Sequence, residues 1–396
     1  MQDSKRRLGM AGVLSFAHLV NDWYMNFFQT ALPVLALSLG VARASWLVTV
    51  FTVTSSIIQP LFGLWLGKHR GRWPILVGTL WMAILLGLSG LCRSYPLCLA
   101  VASLAGLGTA VFHPAASAMV AGLGGSRKSF LQSIFVAGGN VGWALAPLAM
   151  LPFLDRFGIG ASPWLILPGA LVSLVMLAFV PASNPAVKSE AARKAEPARS
   201  EPDAGKGATG PLKDGQSREL ATVLLLVACR SLCYFGLISF LPLYLRERGL
   251  SLLSGSRLLF VMLFCGAAGG VIGGALADRL GGKRVLVASL ALSCPFFLLF
   301  DASGGIVGTS FLGLAGACLL GSFSITIVMA QGIFERNPAF ASGLTLGLAT
   351  GIGGLGIGFL GSLISRTGPR AVVIFLMLLP LAASLLGLSL RSGKNA

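Results

Sequence analysis

Charge is scarce in this sequence, and negative charge most of all: 11% of its 396 residues are charged and only 13 are Asp or Glu. A water-soluble chain of this length carries about twice that share, so a soluble globular protein is excluded. Ten-residue stretches of alternating polarity are missing too, which excludes an outer-membrane β-barrel. The seven cysteines, Cys92, Cys98, Cys229, Cys233, Cys265, Cys294 and Cys318, have neither disulfide nor metal-ligand spacing. They read as small hydrophobes, and no metal or cofactor is expected. No small-residue cleavage site precedes the polar residues of the first apolar stretch, which is expected to remain as an uncleaved helix.

What is abundant is apolar. A hydrophobic content of 55%, 52 glycines and a mean hydropathy of +0.84 mark a multi-pass helical membrane protein. Apolar segments of the length a spanning helix needs, about 20 residues, are predicted at 9–38, 45–66, 74–92, 97–121, 129–153 and 162–181, then at 219–245, 252–277, 283–301, 305–332, 338–365 and 369–390. The expected fold is therefore all-α and integral to the membrane, with twelve transmembrane helices in two pseudo-symmetric six-helix bundles, residues 1–181 and 219–396. Residues 182–218 between them are rich in Ala, Pro, Ser, Lys and Glu and have nothing to bury; a flexible cytoplasmic linker is expected. The net charge of +17 does not point to nucleic acid, because the basic residues sit in short loops beside the spans. With both termini cytoplasmic and twelve crossings, Lys5, Arg6, Arg7, Lys68, Arg70, Arg72, Arg127 and Lys128 all fall inside, as the positive-inside rule requires.

The two halves repeat. Gly63, Gly67, Lys68, Gly71 and Arg72 after the second span match Gly274, Asp278, Arg279, Gly282 and Lys283 after the eighth, at an offset of 211 residues. The glycine-rich fifth span (Gly138, Gly139, Gly142, Pro147) likewise has a counterpart in the eleventh (Gly347, Gly351, Gly353, Gly354, Gly356, Gly358). Small residues let helices approach closely, and parallel six-helix repeats with a site at mid-depth are a transporter architecture.

Polar side chains inside the spans mark where such a site lies. His18, Asn21, Asp22 and Asn26 interrupt the first span; at 1.5 Å per residue from Arg7, His18 and Asp22 lie roughly 15–20 Å deep in a core about 30 Å thick. His18, Asp22, Asn26 and Gln29 fall on one helix face, which reads as cavity lining or, alternatively, as a His–Asp pair locking two helices together. His113, before Pro114 in the fourth span, also falls near mid-depth, where it is suited to binding substrate, relaying a proton or satisfying the backbone freed by the proline. Gln59 and Asn140 are read as cavity-facing groups or helix-to-helix contacts. Arg230 sits at the same depth in the seventh span, and the repeat aligns it with Leu19, beside His18. A guanidinium there needs an anion: Asp22 in one state and an acidic substrate in another, or a fixed structural partner. Asp22 is the one carboxylate predicted well inside an apolar segment, which makes it the leading proton carrier.

Gly274-Ala-Leu-Ala-Asp278-Arg279-Leu-Gly281-Gly282-Lys283-Arg284 resembles the G-x-x-x-D-R-x-G-x-K-R loop that major facilitator superfamily transporters carry after their second or eighth helix. Asp278 would bridge to a neighbouring helix and hold one gate state; the N-terminal copy has Gly67 in place of the acid, so its latch is expected to be weaker. Within the superfamily the chain resembles the fosmidomycin resistance protein group, on His18 with Asn21-Asp22, Ser56 with Gln59-Pro60 and Gly63, Phe112-His113-Pro114, Gln132-Ser133-Ile134-Phe135 with Gly138-Gly139-Asn140, and the glycines of the eleventh span. The resemblance implies a proton-driven exporter of small, often anionic compounds, acting as a monomer with small-molecule substrate, protons and the lipid bilayer as partners. Asp22 and His18 would couple protons, while Arg230, His113, Asn21, Asn26, Gln59, Gln132 and Asn140 would meet substrate. Asp278, Arg279, Gly281, Lys283 and Arg284 would gate. Uptake of a polycarboxylate or siderophore-like metabolite is the alternative direction. A membrane-embedded enzyme is the remote one, since His18 and Asp22 are one residue short of the H-x-x-x-x-D spacing of membrane acyltransferases.

Overall fold

A computed structural model describes residues 2–59, 61, 62, 71–123, 128–182, 216–333 and 338–390. Among these the chain is helical throughout, without strands, and follows the twelve predicted spans. The first span is Gln2–Met25 continued by Phe27–Leu39, and the second is Val41–Ile57. The third to fifth are Trp73–Ser89, Tyr95–Leu123 and Lys128–Phe157, and the sixth runs from a 3₁₀ turn, Ile159–Leu165, into Ile166–Phe179. Gln216–Glu247, Leu252–Leu280 and Gly282–Ala302 are the seventh to ninth. The tenth is Gly305–Gly321 with Phe323–Ile333, followed by Pro338–Thr367 and Pro369–Leu388. Eight of the described helices are long and apolar enough to cross a membrane singly. Large apolar side chains such as Leu171 and Val271 lie outward and exposed, as a bilayer solvent demands.

Packing divides the chain into two compact units, Met1–Val34 with Val50–Glu201, and Leu35–Thr49 with Pro202–Ala396. Of the linker expected over 182–218, residues 183–215 lie outside the described residues, as do Gly63, Gly67, Lys68 and Arg70 of the first loop motif. In the first unit, glycine sets the distance between the first and fifth spans: a Cβ on Gly142 would stand 1.9 Å from the Leu19 carbonyl oxygen, and one on Gly138 would stand 2.4 Å from that of Ser15. Backbones this close gain dispersion contacts that a side chain would forbid. Tyr24 fixes the sixth span to the first. Its hydroxyl donates to the Leu165 carbonyl and accepts from the Gly169 amide at 2.8 Å. These are the two groups that an uninterrupted helix would join directly, so the phenol sits inside the hydrogen-bond ladder where the 3₁₀ turn becomes α-helix.

The predicted repeat reappears as a shared fastening. The Arg72 guanidinium donates to the carbonyls of Leu177 and Val180, each at 2.8 Å, at the end of the sixth span. The Lys283 ammonium donates to Leu388 at 2.8 Å and also to Leu390, at the end of the twelfth. Arg72 and Lys283, and Leu177 and Leu388, are each 211 residues apart. In both units, then, a cation of the loop after the second helix of the repeat satisfies the last open carbonyls of the sixth, where the helix dipole also favours positive charge. Replacing Arg72 or Lys283 by Leu should each lower stability in detergent by about 1 kcal/mol, read as a lower thermal midpoint. A shift for one substitution without the other would deny that the two contacts are equivalent.

Candidate functional site

The first span enters the membrane with its polar residues on the side that meets the fourth and fifth spans. His18 Nδ1 bonds the Phe135 carbonyl oxygen at 2.7 Å, and the imidazole stacks on the Phe135 ring with centroids 4.0 Å apart. Since a carbonyl only accepts, Nδ1 carries the proton in that bond and Nε2 points at Asp22, 3.3 Å from Oδ2. From the fourth span, His113 places its Nε2 3.4 Å from Asp22 Oδ1 and 3.1 Å from the Met25 sulfur. The carboxylate thus lies between two imidazoles, and its Oδ1 is buried without a hydrogen bond among the described residues. Gly139 of the fifth span leaves the room for this arrangement: a Cβ there would stand 2.5 Å from Asp22 Oδ2 and 2.7 Å from His18 Nε2.

Two other polar residues of the first span hold helices together. Asn21 is fully buried and accepts from the Thr109 hydroxyl at 2.8 Å. Asn26, also fully buried, donates to the Trp143 carbonyl at 3.1 Å. Gln29 is buried as well. Gln59 is half-buried just beyond the end of the second span, and Asn140 is exposed beside Gly139. Gln132 lies in the helix of the fifth span, and its side chain is outside the described set.

In the second unit, Arg230 is 3% exposed. It donates to the Thr326 hydroxyl at 3.2 Å, and its guanidinium lies over the Phe323 ring, 4.8 Å from the centroid. Among the described residues of its unit no carboxylate pairs with it. Phe323 and Thr326 belong to the tenth span, at the point where it breaks after Gly321. The repeat maps the seventh and tenth spans onto the first and fourth, so each unit builds its polar cluster from the same two helices. Nothing in the sequence marked Phe323 and Thr326, or joined His113 to Asp22. Asp278, Arg279 and Arg284 of the loop motif are exposed, and Asp278 makes no ion pair among the described residues. Gly281 adopts φ of +91° and ends the eighth span, a conformation that suits glycine.

The family model of the Major Facilitator Superfamily matches residues 14–338. The fosmidomycin resistance protein of Escherichia coli (strain K12) is 31% identical over 386 residues, covering 96% of this chain and 93% of that one. An uncharacterised MFS-type transporter of Bacillus subtilis (strain 168), YfnC, is 28% identical and covers 93% of this chain and 89% of its own. Among solved structures, a bacterial homologue of the human lysosomal transporter Spinster superposes with a TM-score of 0.70 at 17% identity, over 97% of this chain and 95% of that one. The peptide transporter POT with bound sulfate gives 0.68 at 17% identity, over 96% and 93%. Matched along most of its length and carrying the loop motif and the repeated helix clusters, the chain belongs to the major facilitator superfamily and is a multi-pass membrane transporter.

Proposed function

We propose that this protein is a proton-coupled exporter of small anionic or drug-like compounds, working as a monomer by alternating access in a bacterial inner membrane with both termini cytoplasmic. The observation that carries the proposal is the contact of Asp22 with His18 and His113, deep in the first unit. A bare carboxylate is costly at that depth, and imidazole is the side chain that changes charge near neutral pH. Three groups within reach of one another can therefore take up and release a proton without leaving a lone charge in hydrocarbon. Arg230 supplies the complementary charge for an anionic substrate. Phe323 shields one face of the guanidinium and Thr326 occupies one of its five donors, leaving a planar fork suited to an oxyanion. Residues 1–181 and 219–396 act as the two moving halves, with Asp278, Arg279, Gly281, Lys283 and Arg284 holding one gate state.

The relative named for fosmidomycin resistance makes fosmidomycin the first compound to try. Expression in a susceptible strain should raise the concentration tolerated and lower its accumulation; increased accumulation would reverse the direction to uptake. In reconstituted vesicles Asp22→Asn should still exchange labelled substrate but lose net movement driven by a pH gradient. Full gradient-driven transport by that variant would remove Asp22 as the carrier. Arg230→Gln should weaken transport of anionic compounds roughly 10- to 100-fold, the loss of one charge-assisted contact worth about 1.5–3 kcal/mol, and leave neutral ones nearly unchanged. Equal losses for both classes would make Arg230 a structural residue.

A further inference from the structure

Three donor groups of the first unit converge in a way that a shared proton does not require. His18 Nε2, one Asp22 carboxylate oxygen and a His113 ring nitrogen all lie within 4.8 Å of one another. The chain has only three histidines, and two of them meet here on one carboxylate, from helices about a hundred residues apart in sequence. We propose that His18, Asp22 and His113 form a binding site for a divalent transition-metal ion of the zinc class, held within the first unit.

Four observations support the assignment. Two separations are near those of one ion: nitrogen and oxygen donors about 2.0–2.1 Å from a tetrahedral zinc lie about 3.3 Å from each other, and His18 Nε2 stands 3.3 Å from Asp22 Oδ2 and His113 Nε2 3.4 Å from Oδ1. One donor from each residue lies within 4.8 Å of the others, so a small turn of the carboxylate and of an imidazole would bring all three onto one ion. The protonation pattern suits it too. Because His18 Nδ1 donates to the Phe135 carbonyl, Nε2 is the atom that faces Asp22 Oδ2, an arrangement satisfied by a cation between the two, either the proton of the proposed cycle or a metal ion in its place. That backbone contact is also the support that metal-bound imidazoles typically use for orientation. Third, Asp22 Oδ1 is buried and makes no hydrogen bond among the described residues. Fourth, Gly139 keeps clear the space on the fifth-span side of Asp22 and His18.

Two imidazoles and one carboxylate select zinc-like ions over magnesium or calcium, which need six or more oxygen donors. Three protein ligands leave a fourth position open to water or an external anion. An ion held here would occupy the groups proposed to carry the proton, so its binding should also stop transport driven by a pH gradient.

The test uses the full chain in detergent, stripped with a chelator and titrated with zinc at neutral pH. One zinc per chain should bind in the presence of excess magnesium, raise the thermal midpoint, and weaken at least about tenfold in His18→Gln and in His113→Gln. X-ray absorption at the zinc edge of the unsubstituted protein should show imidazole nitrogens at about 2.0 Å and no sulfur shell near 2.3 Å; this measurement decides the matter if the variants fail to fold. Absence of stoichiometric zinc, a sulfur shell, or unchanged binding in both histidine variants would overturn the site. Zinc binding and gradient-driven transport are separate measurements. A protein that binds no zinc leaves the proton-coupled reading untouched, and one that binds zinc but ignores the pH gradient refutes only that reading.

Discussion

A carboxylate in the middle of a hydrocarbon-spanning helix imposes conditions on everything near it, and the first unit is arranged around meeting them. Asp22 cannot be left facing lipid, so the first span turns it toward the fourth and fifth. The fourth brings His113, and the fifth brings Phe135, whose backbone orients His18. The fifth span can come this close only because glycine stands at 138, 139 and 142. Removing any of these would leave the others without purpose: a glycine face with nothing to admit, or an imidazole turned by a carbonyl toward no acid.

The second unit answers the same positional plan with opposite chemistry. Its first and fourth helices carry Arg230 and the pair Phe323 and Thr326 where the first unit carries an acid and imidazoles. A guanidinium is permanently charged and planar, and it is softened here by an aromatic face and one hydroxyl. The duplication therefore preserved where a polar cluster sits in the helix order while its charge diverged.

Most spans were legible in the sequence to within a few residues, because hydrophobic length is a local property and the bilayer fixes it; the second is the exception, expected at 45–66 but helical over Val41–Ile57. So were His18, Asp22 and Arg230, whose cost in hydrocarbon is visible without a structure. The meeting of His113 with Asp22 was not, since it depends on the rotation and depth of a separate helix, and two residues at mid-depth in different spans face each other only if packing makes them. For the same reason Asn21 and Asn26 read as groups that would meet substrate, whereas Thr109 and Trp143 each take up one of their polar atoms. The breaks were hidden as well. No residue near Leu165 announces that Tyr24, more than a hundred positions earlier, enters its hydrogen-bond ladder, and Phe323 is one of 24 phenylalanines with nothing local to set it apart.

The paired contacts of Arg72 and Lys283 bear on how such a chain was assembled in evolution. Each knots the last helix of a repeat back to a loop near its beginning, so a single ancestral repeat would already have been a closed piece, with its final helix secured before a second copy existed. The second copy repeats the same closure with Lys283 and the end of the twelfth helix, so neither repeat depends on the other to secure its final turn.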